Sequence, residues 1–361
     1  MSAAREPRRM SPRRAPAPGL LVALAALCAC AGPRGPGAEA VRFPPEEIVA
    51  SAELAGKNEA ELQAIGTAAY GAGDFRRAAA ALGRLADAFP ASPHAAAALH
   101  DAGRAHQRLG EWRAALERFR ALASRGDAPA GAGVSFRLAE CHYHLGELAE
   151  ARALLDGVAA RKDLAAGERV RALAQRGVVE LEAGHAEEAE RSLRLALATW
   201  QEASERERLD PYPAAQAEYH LGEVYRLGTE AVRLAPDSAD PEGLARDLEE
   251  KAQLLLSAQG HYLRAIRLGE PEWAVAAGYR IGELYERLHA EIDAAPLPPG
   301  LGEEEAALYR AELSDRIRVL VGKAIALYEQ TLAAAQRAGV DNRFVEEAER
   351  ALGRLRALAA P

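Results

Sequence analysis

The sequence runs to 361 residues, and 45 lysines and arginines against 53 aspartates and glutamates give it a formal net charge of −8. That acidic balance argues against a nucleic-acid-binding or basic membrane-binding surface, and three cysteines are too few for a disulfide framework. Rich in alanine and leucine, with 5% aromatic residues and few β-branched runs of alternating polarity, the chain reads as all-α.

The first forty residues do not belong to the fold. Arg5, Arg8, Arg9, Arg13 and Arg14 precede an apolar run from Gly19 to Ala29. The run is too short for a membrane-spanning helix, so residues 1–29 read as an export signal, with translation starting at Met1 or Met10. The run closes on Leu27-Cys28-Ala29-Cys30, which resembles a bacterial lipobox and implies acylation of Cys30, although Cys28 is an unusual occupant of its position. The alternative is an ordinary cleavage after Ala31. Acylation would hold the chain on a membrane. Ala31 stands where the lipoprotein family carries an aspartate for inner-membrane retention, so the resemblance implies an outer-membrane lipoprotein facing the periplasm; without the anchor the chain is soluble in the periplasm. Residues 30–45 have no apolar face and read as a flexible tether. Losing residues 1–29 removes five of the 45 basic and one of the 53 acidic side chains, leaving 40 and 52 and a charge of −12. No second apolar run approaches the ~20 residues of a membrane helix. Cys141 then stands without a disulfide partner and reads as a small apolar filler.

Glu46 to Lys57, with apolar Ile48 and Leu54, is a short amphipathic lead-in. One pattern then recurs: a small residue, a glycine seven positions on, an alanine twelve positions on, and a large apolar residue one helical turn later. The sets are Gly66, Gly73, Ala78, Leu82; Gly103, Gly110, Ala115, Phe119; Ala139, Gly146, Ala151, Leu155; and Gly177, Gly184, Ala189, Leu193. Each describes two helices that cross closely, joined by a glycine turn. The constant interval makes them meet at the same level every time. The pattern resembles the tetratricopeptide repeat, a helix–turn–helix unit of ~34 residues; here the turn glycines stand 37, 36 and 38 apart. The resemblance implies an all-α, TPR-type helical-hairpin solenoid whose concave face binds a partner, and it implies no chemistry. Four repeats fall at about 59–92, 96–129, 132–165 and 170–200, so that residues 46–200 form the regular half. Pro90, Pro93 and Asp127-Ala-Pro129 punctuate the exits.

Residues 201–361 depart from that regularity. Leu221-Gly222-Glu-Val-Tyr225 opens a fifth unit, but Ala258, Tyr262 and Ala265 follow twenty-four residues late; Ile281-Gly282-Glu-Leu-Tyr285 opens a sixth, with Ala324, Tyr328 and Thr331 thirty late. Apolar spacing continues through Leu248 and Leu255, and through Leu288, Ile292, Leu308, Ile317 and Leu320. Both hairpins are therefore expected to be lengthened at the tip and to pack on each other, each helix gaining twelve to fifteen residues or ~18–22 Å. The loops would lie at Asp237 to Gly243 and Ala295 to Gly302, with Glu303-Glu-Glu305 an acidic helix start. Asn342 to Leu358, apolar at Phe344, Ala348, Leu352, Leu355 and Leu358, would close the stack.

In the family's register, first-helix positions two, five, nine and twelve to thirteen line the groove. The resemblance therefore implies a partner-binding surface of His100, Arg104, Gln107, Arg108, Phe136, Glu140, Tyr143, His144, Arg171, Tyr219, Glu223, Arg226, Tyr279, Glu283, Glu286 and Arg287. Aromatics among both signs of charge suit a peptide or helix of another protein. Gln63 and Thr67 occupy places where carboxylate-gripping modules carry lysine and asparagine, so capture of a chain terminus is not supported. Cys141-His142-Tyr143-His144 invites a metal, but residues two apart on a helix diverge by about 200°, and no metal, cofactor or enzymatic activity is expected. The order of features resembles the tetratricopeptide lipoproteins of bacterial envelope machines. The reading is a non-enzymatic, lipid-anchored scaffold that holds another envelope protein or peptide segment of an assembly or motility machine. A soluble exported regulator or chaperone, and a homo-oligomer paired through the long hairpins, are the alternatives.

Overall fold

Amphipathic runs separated by single glycines fold as antiparallel helix pairs. The computed structural model describes residues 53–125, 132–204, 208–232, 243–294 and 302–359, and all regular secondary structure among them is α-helical. Four regular hairpins come first: α1 (Glu59–Gly71) with α2 (Phe75–Ala88), α3 (Ala95–Arg108) with α4 (Trp112–Ala123), α5 (Gly133–His144) with α6 (Leu148–Ala159), and α7 (Ala166–Glu182) with α8 (Ala186–Ser204). Two long ones follow, α9 (Tyr212–Ala231) with α10 (Gly243–Arg267) and α11 (Pro271–Asp293) with α12 (Glu303–Ala338), and α13 (Arg343–Ala359) ends the stack. The export signal, Cys30, the tether, residues 46–52 of the lead-in, the loops at 237–242 and 295–301, and the side chains of Leu248, Ile317 and Leu358 lie outside the described residues.

Local chemistry sets the helix ends. Asn58 and Glu61 form a reciprocal capping box on α1, at 3.0 and 2.9 Å. Asp74 caps α2 by accepting from the Arg77 amide, and Asn342 accepts from the Phe344 amide at the start of α13. The turns need a left-handed residue, which Gly110 supplies at φ +73°.

Close approach needs the other glycines. A Cβ on Gly103 would fall 2.7 Å from Phe119, so the absence of a side chain is what lets α3 and α4 meet with that ring wholly buried. Burying such a ring contributes about 2–3 kcal/mol. The same crossing joins Gly222 to Tyr262 and Gly282 to Tyr328 across the long insertions. The core runs on between hairpins, since Phe119 and Leu116 of α4 share a buried cluster with Leu138 and Cys141 of α5. Leu54 closes one end against Leu62 and Leu85, and Phe344, Ala348, Leu352 and Leu355 close the other.

A second device repeats at the turns. His106 pairs with Glu111 at 2.7 Å, His142 with Glu147 at 2.6 Å, and Glu180 with His185, in reversed order, at 2.9 Å. In each case the second residue's amide also donates to the first residue's carbonyl at 2.9 Å. Each pair thus clasps the two helices across their glycine turn.

The long hairpins are lengthened unequally, which corrects the expected even split. Past the shared crossing, α9 continues nine residues from Gly222 to Ala231, whereas α10 begins nineteen before Tyr262; α11 continues eleven from Gly282, whereas α12 begins twenty-five before Tyr328. The overhang of α10 packs on α11 through Leu255, which lies against the cluster that holds Ile281 and Leu284, and Lys251 bridges to Glu291 at 2.8 Å. The overhang of α12, ~20 Å at 1.5 Å per residue, has no following long helix to meet. Leu308, expected in the packed stripe, is therefore 67% exposed.

Candidate partner-binding groove

The odd-numbered helices meet along one face, and there the structure divides the expected groove residues into two sets. In the first half they form separate contacts, most of them between neighbouring hairpins. The Arg104 guanidinium lies over the Tyr70 ring of α1 at 5.3 Å, Arg108 over Phe75 at 5.2 Å, and Arg171 of α7 over Phe136 of α5 at 4.8 Å. Gln107 of α3 donates to Glu140 of α5 at 3.0 Å, and Arg137 bonds the same carboxylate at 3.0 Å. His100 pairs with Asp101 at 3.0 Å. Burial, then the nearby Glu182 carboxylate, raises the pKa of Tyr143.

His142 and His144 serve different neighbours. His142 is buried, donates from Nδ1 to Glu147 and accepts at Nε2 from Arg120, while His144 stacks on Trp112 with ring centres 3.7 Å apart. Just before His142, Cys141 is packed in the core, where burial pushes its thiol up to about 11.

In the second half the expected residues are knitted together instead. Tyr219, Glu223 and Arg226 are only 4, 8 and 9% exposed, and Phe136 is as buried as Tyr219, so the expectation that these four side chains face an open groove is not met. Phe136 belongs to the core it shares with Leu155, Leu164 and Ala172, and Arg171 lies over its ring. For Tyr219 the cause is the curl of the stack, which brings Phe344 of α13 back to it and to Tyr279 of α11, with ring centres 6.0 and 5.9 Å apart. Glu223 and Arg226 are held by each other and by Tyr262 and Arg280.

Beneath these rings lies a charge network centred on Glu223. Its carboxylate accepts from Tyr262 Oη at 2.5 Å and from Arg226 Nη2 at 3.2 Å, and forms an ion pair with Arg280 Nε at 3.0 Å. Arg280 also bonds Glu283 at 2.6 Å and lies over the rings of Tyr279 and Phe344. Arg287 pairs with Glu230 and Glu283, and Glu286 accepts from Tyr328 at 3.1 Å and Arg354 at 3.2 Å. Burial, then Glu223, lifts Tyr262 well above the ordinary phenol value; burial, then Glu283, lifts Tyr279 to about 12. Two arginines and a hydroxyl on one carboxylate supply the partners that a buried charge requires.

Sequence reasoning missed Arg280, the residue that joins the two halves of this network. A signal existed: Arg137-x-x-Glu140 and Arg280-x-x-Glu283 stand at the same offset from the crossing residues Ala139 and Gly282 and make the same contact.

Residues 64–99 and 100–168 match the tetratricopeptide repeat. The fold is a helical solenoid of the tetratricopeptide type. Solved structures with similar packing include the Cut9-Hcn1 hetero-tetramer of the APC/C, at 15% identity and a TM-score of 0.47 over 86% of this chain and 46% of that one. The chain thus spans less than half that protein's length. A tetratricopeptide repeat protein from Parabacteroides merdae is 16% identical, with a TM-score of 0.39 over 82% of this chain and 98% of that one. The Rap protein in complex with competence and sporulation factor is 15% identical, with a TM-score of 0.39 over 86% and 90%. Likeness at this level concerns helical packing and says nothing about partners. No curated protein matches the sequence.

Proposed function

We propose that the chain is a non-enzymatic scaffold that receives a segment of another protein along the inner face of its first four hairpins. The observation that carries this reading is the division of that face. Its second half is filled by the chain's own Phe344 and Arg280, while in the first half Arg104, Arg108, Tyr143 and Arg171 keep solvent-facing surface. Arginine and tyrosine are the residue types that anchor protein interfaces. The repeat match over residues 64–168 falls on the same half.

On the sequence of residues 1–45, we infer a lipoprotein anchored through Cys30 to the outer membrane, facing the periplasm and serving an envelope assembly or motility machine. Replacing Cys30 by serine should release the protein from the membrane fraction. If the wild-type protein is itself recovered soluble, the anchor is wrong and the soluble exported reading takes its place.

A photo-reactive residue at Tyr143, compared with one at Leu308, tests the scaffold in intact cells. Trapping of a defined protein at position 143 supports the groove. Trapping only at position 308 moves the function to the overhang of α12, where exposed Leu308, Tyr309 and Val319 favour the second reading, a contact made by the long hairpin.

A further inference from the structure

We propose that the partner segment is an acidic, extended peptide, an inference that rests on the groove reading above and specifies its ligand. Three guanidiniums carry it. Arg104, Arg108 and Arg171 each lie on an aromatic face, at 5.3, 5.2 and 4.8 Å, and none forms an ion pair among the described residues. On the same helices Asp101 of α3 is engaged by His100, and Glu140 of α5 by Arg137 and Gln107. A chain with more acidic than basic residues therefore presents, along α3 and α7, positive charge that nothing in the described fold neutralises.

The ring contacts prepare these groups for carboxylates. A guanidinium held by its face keeps its N–H edge free, and that edge matches a carboxylate in two parallel hydrogen bonds. Stacking also limits the rotamer freedom lost on binding. Helices of neighbouring hairpins pack 8–10 Å apart, so α3 and α7, with α5 between them, stand about 20 Å apart. Arg108 stands five residues past the crossing Gly103 and Arg171 six before the crossing Gly177, which adds ~16 Å along the helix axes, and an extended segment of about eight residues covers the resulting ~26 Å. Acidic side chains near its two ends would meet Arg104 and Arg108 at one side and Arg171 at the other.

The test uses fluorescence anisotropy of the full chain with a dye-labelled ten-residue peptide of glutamate, alanine and glycine, and with its lysine counterpart. The glutamate peptide should bind, and raising salt from 50 to 300 mM should weaken it severalfold. The combined variant Arg104→Gln, Arg108→Gln, Arg171→Gln should weaken it at least tenfold, and Arg191→Gln, on an exposed helix elsewhere, should leave it unchanged. Absence of binding, stronger binding of the lysine peptide or of a single-stranded oligonucleotide, or undiminished binding by the triple variant overturns the proposal. Cross-linking separates its failure from that of the groove itself. If the protein trapped at position 143 is captured equally by the triple variant, the groove stands and its acidic ligand falls; if nothing is trapped there in the wild type, both fall.

Discussion

Gly282 and Tyr328, forty-six residues apart, make the crossing that Gly103 and Phe119 make at an interval of sixteen. A Cβ on Gly282 would lie 2.5 Å from Tyr328, so the long hairpin keeps the short one's contact and puts its extra residues beyond it. Gly282→Ala should therefore cost about 2–3 kcal/mol through overpacking, read as a lower urea midpoint. Gly157→Ala, on α6 with nothing within 4 Å of the new methyl, should gain about 0.5–1 kcal/mol. An equal response at the two sites would mean that the crossing is not tight.

The turn clasps predict a tolerated exchange. His142→Ala and Glu147→Ala should show a coupling of about 1–2 kcal/mol in a double-mutant cycle. His142→Glu alone sets two carboxylates together, but the double variant His142→Glu, Glu147→His recreates the order that Glu180 and His185 already use. Thermal unfolding of the exchanged protein close to that of the wild type would bear this out; unfolding as early as the single variant would show that the pair's order matters.

Glu223 joins buried Arg226 to half-buried Arg280, and removing its charge leaves each with one acid, Glu230 and Glu283 respectively. Glu223→Gln should destabilise by about 2–3 kcal/mol, the cost of weakened bonds to a charged group, whereas Tyr262→Phe, which deletes one donor, should cost about 1–2 kcal/mol. Denaturant titration ranks the two. A Glu223→Gln protein as stable as the wild type would show that the network carries little energy.

Acid should weaken the fold partly through His220. Its Nδ1–H donates to the Gln216 carbonyl at 2.7 Å and its ring packs against Tyr219 and Trp273. Burial, opposed in part by that hydrogen bond, holds its pKa below the ordinary 6.5. The unfolded chain takes up a proton near pH 6.5 that the folded chain refuses. The unfolded state thus binds more protons, and stability falls as the pH drops through that value. His220→Asn should flatten the loss of urea midpoint between pH 7.5 and 5.5, and an unchanged slope would assign the loss to other groups.

The hairpins were legible because each is specified locally. The interval from Gly66 to Leu82, or from Gly177 to Leu193, fixes a turn and a crossing inside one unit, and the late arrival of Tyr262 and Tyr328 still marked where two long helices meet. The return of Phe344 to Tyr219 is different in kind. It depends on small rotations summed over successive hairpins, which no single repeat encodes, so Tyr219 looked like an open groove position and is an interior one. Glu223, Arg226, Arg280 and the turn clasps failed for another reason. Their spacing was in the sequence, but side-chain pairing between neighbouring helices is not part of the repeat's hydrophobic pattern. Leu308 kept the right period and lost its partner helix, because period says which face is apolar and not whether anything reaches it.

The closure of the second half of the inner face by α13 is the claim on which the assignment of the receptor surface to the first half depends. It is tested most directly by placing cysteines at Tyr219 and Phe344 in a protein carrying Cys28→Ser, Cys30→Ser and Cys141→Ala, and treating it with a short bismaleimide. The account predicts an internal cross-link between positions 219 and 344, seen as a shifted band on a denaturing gel, and poor labelling of position 219 by a bulky maleimide. Free labelling at 219 with no cross-link would contradict it and would reopen the whole concave face as the partner's site.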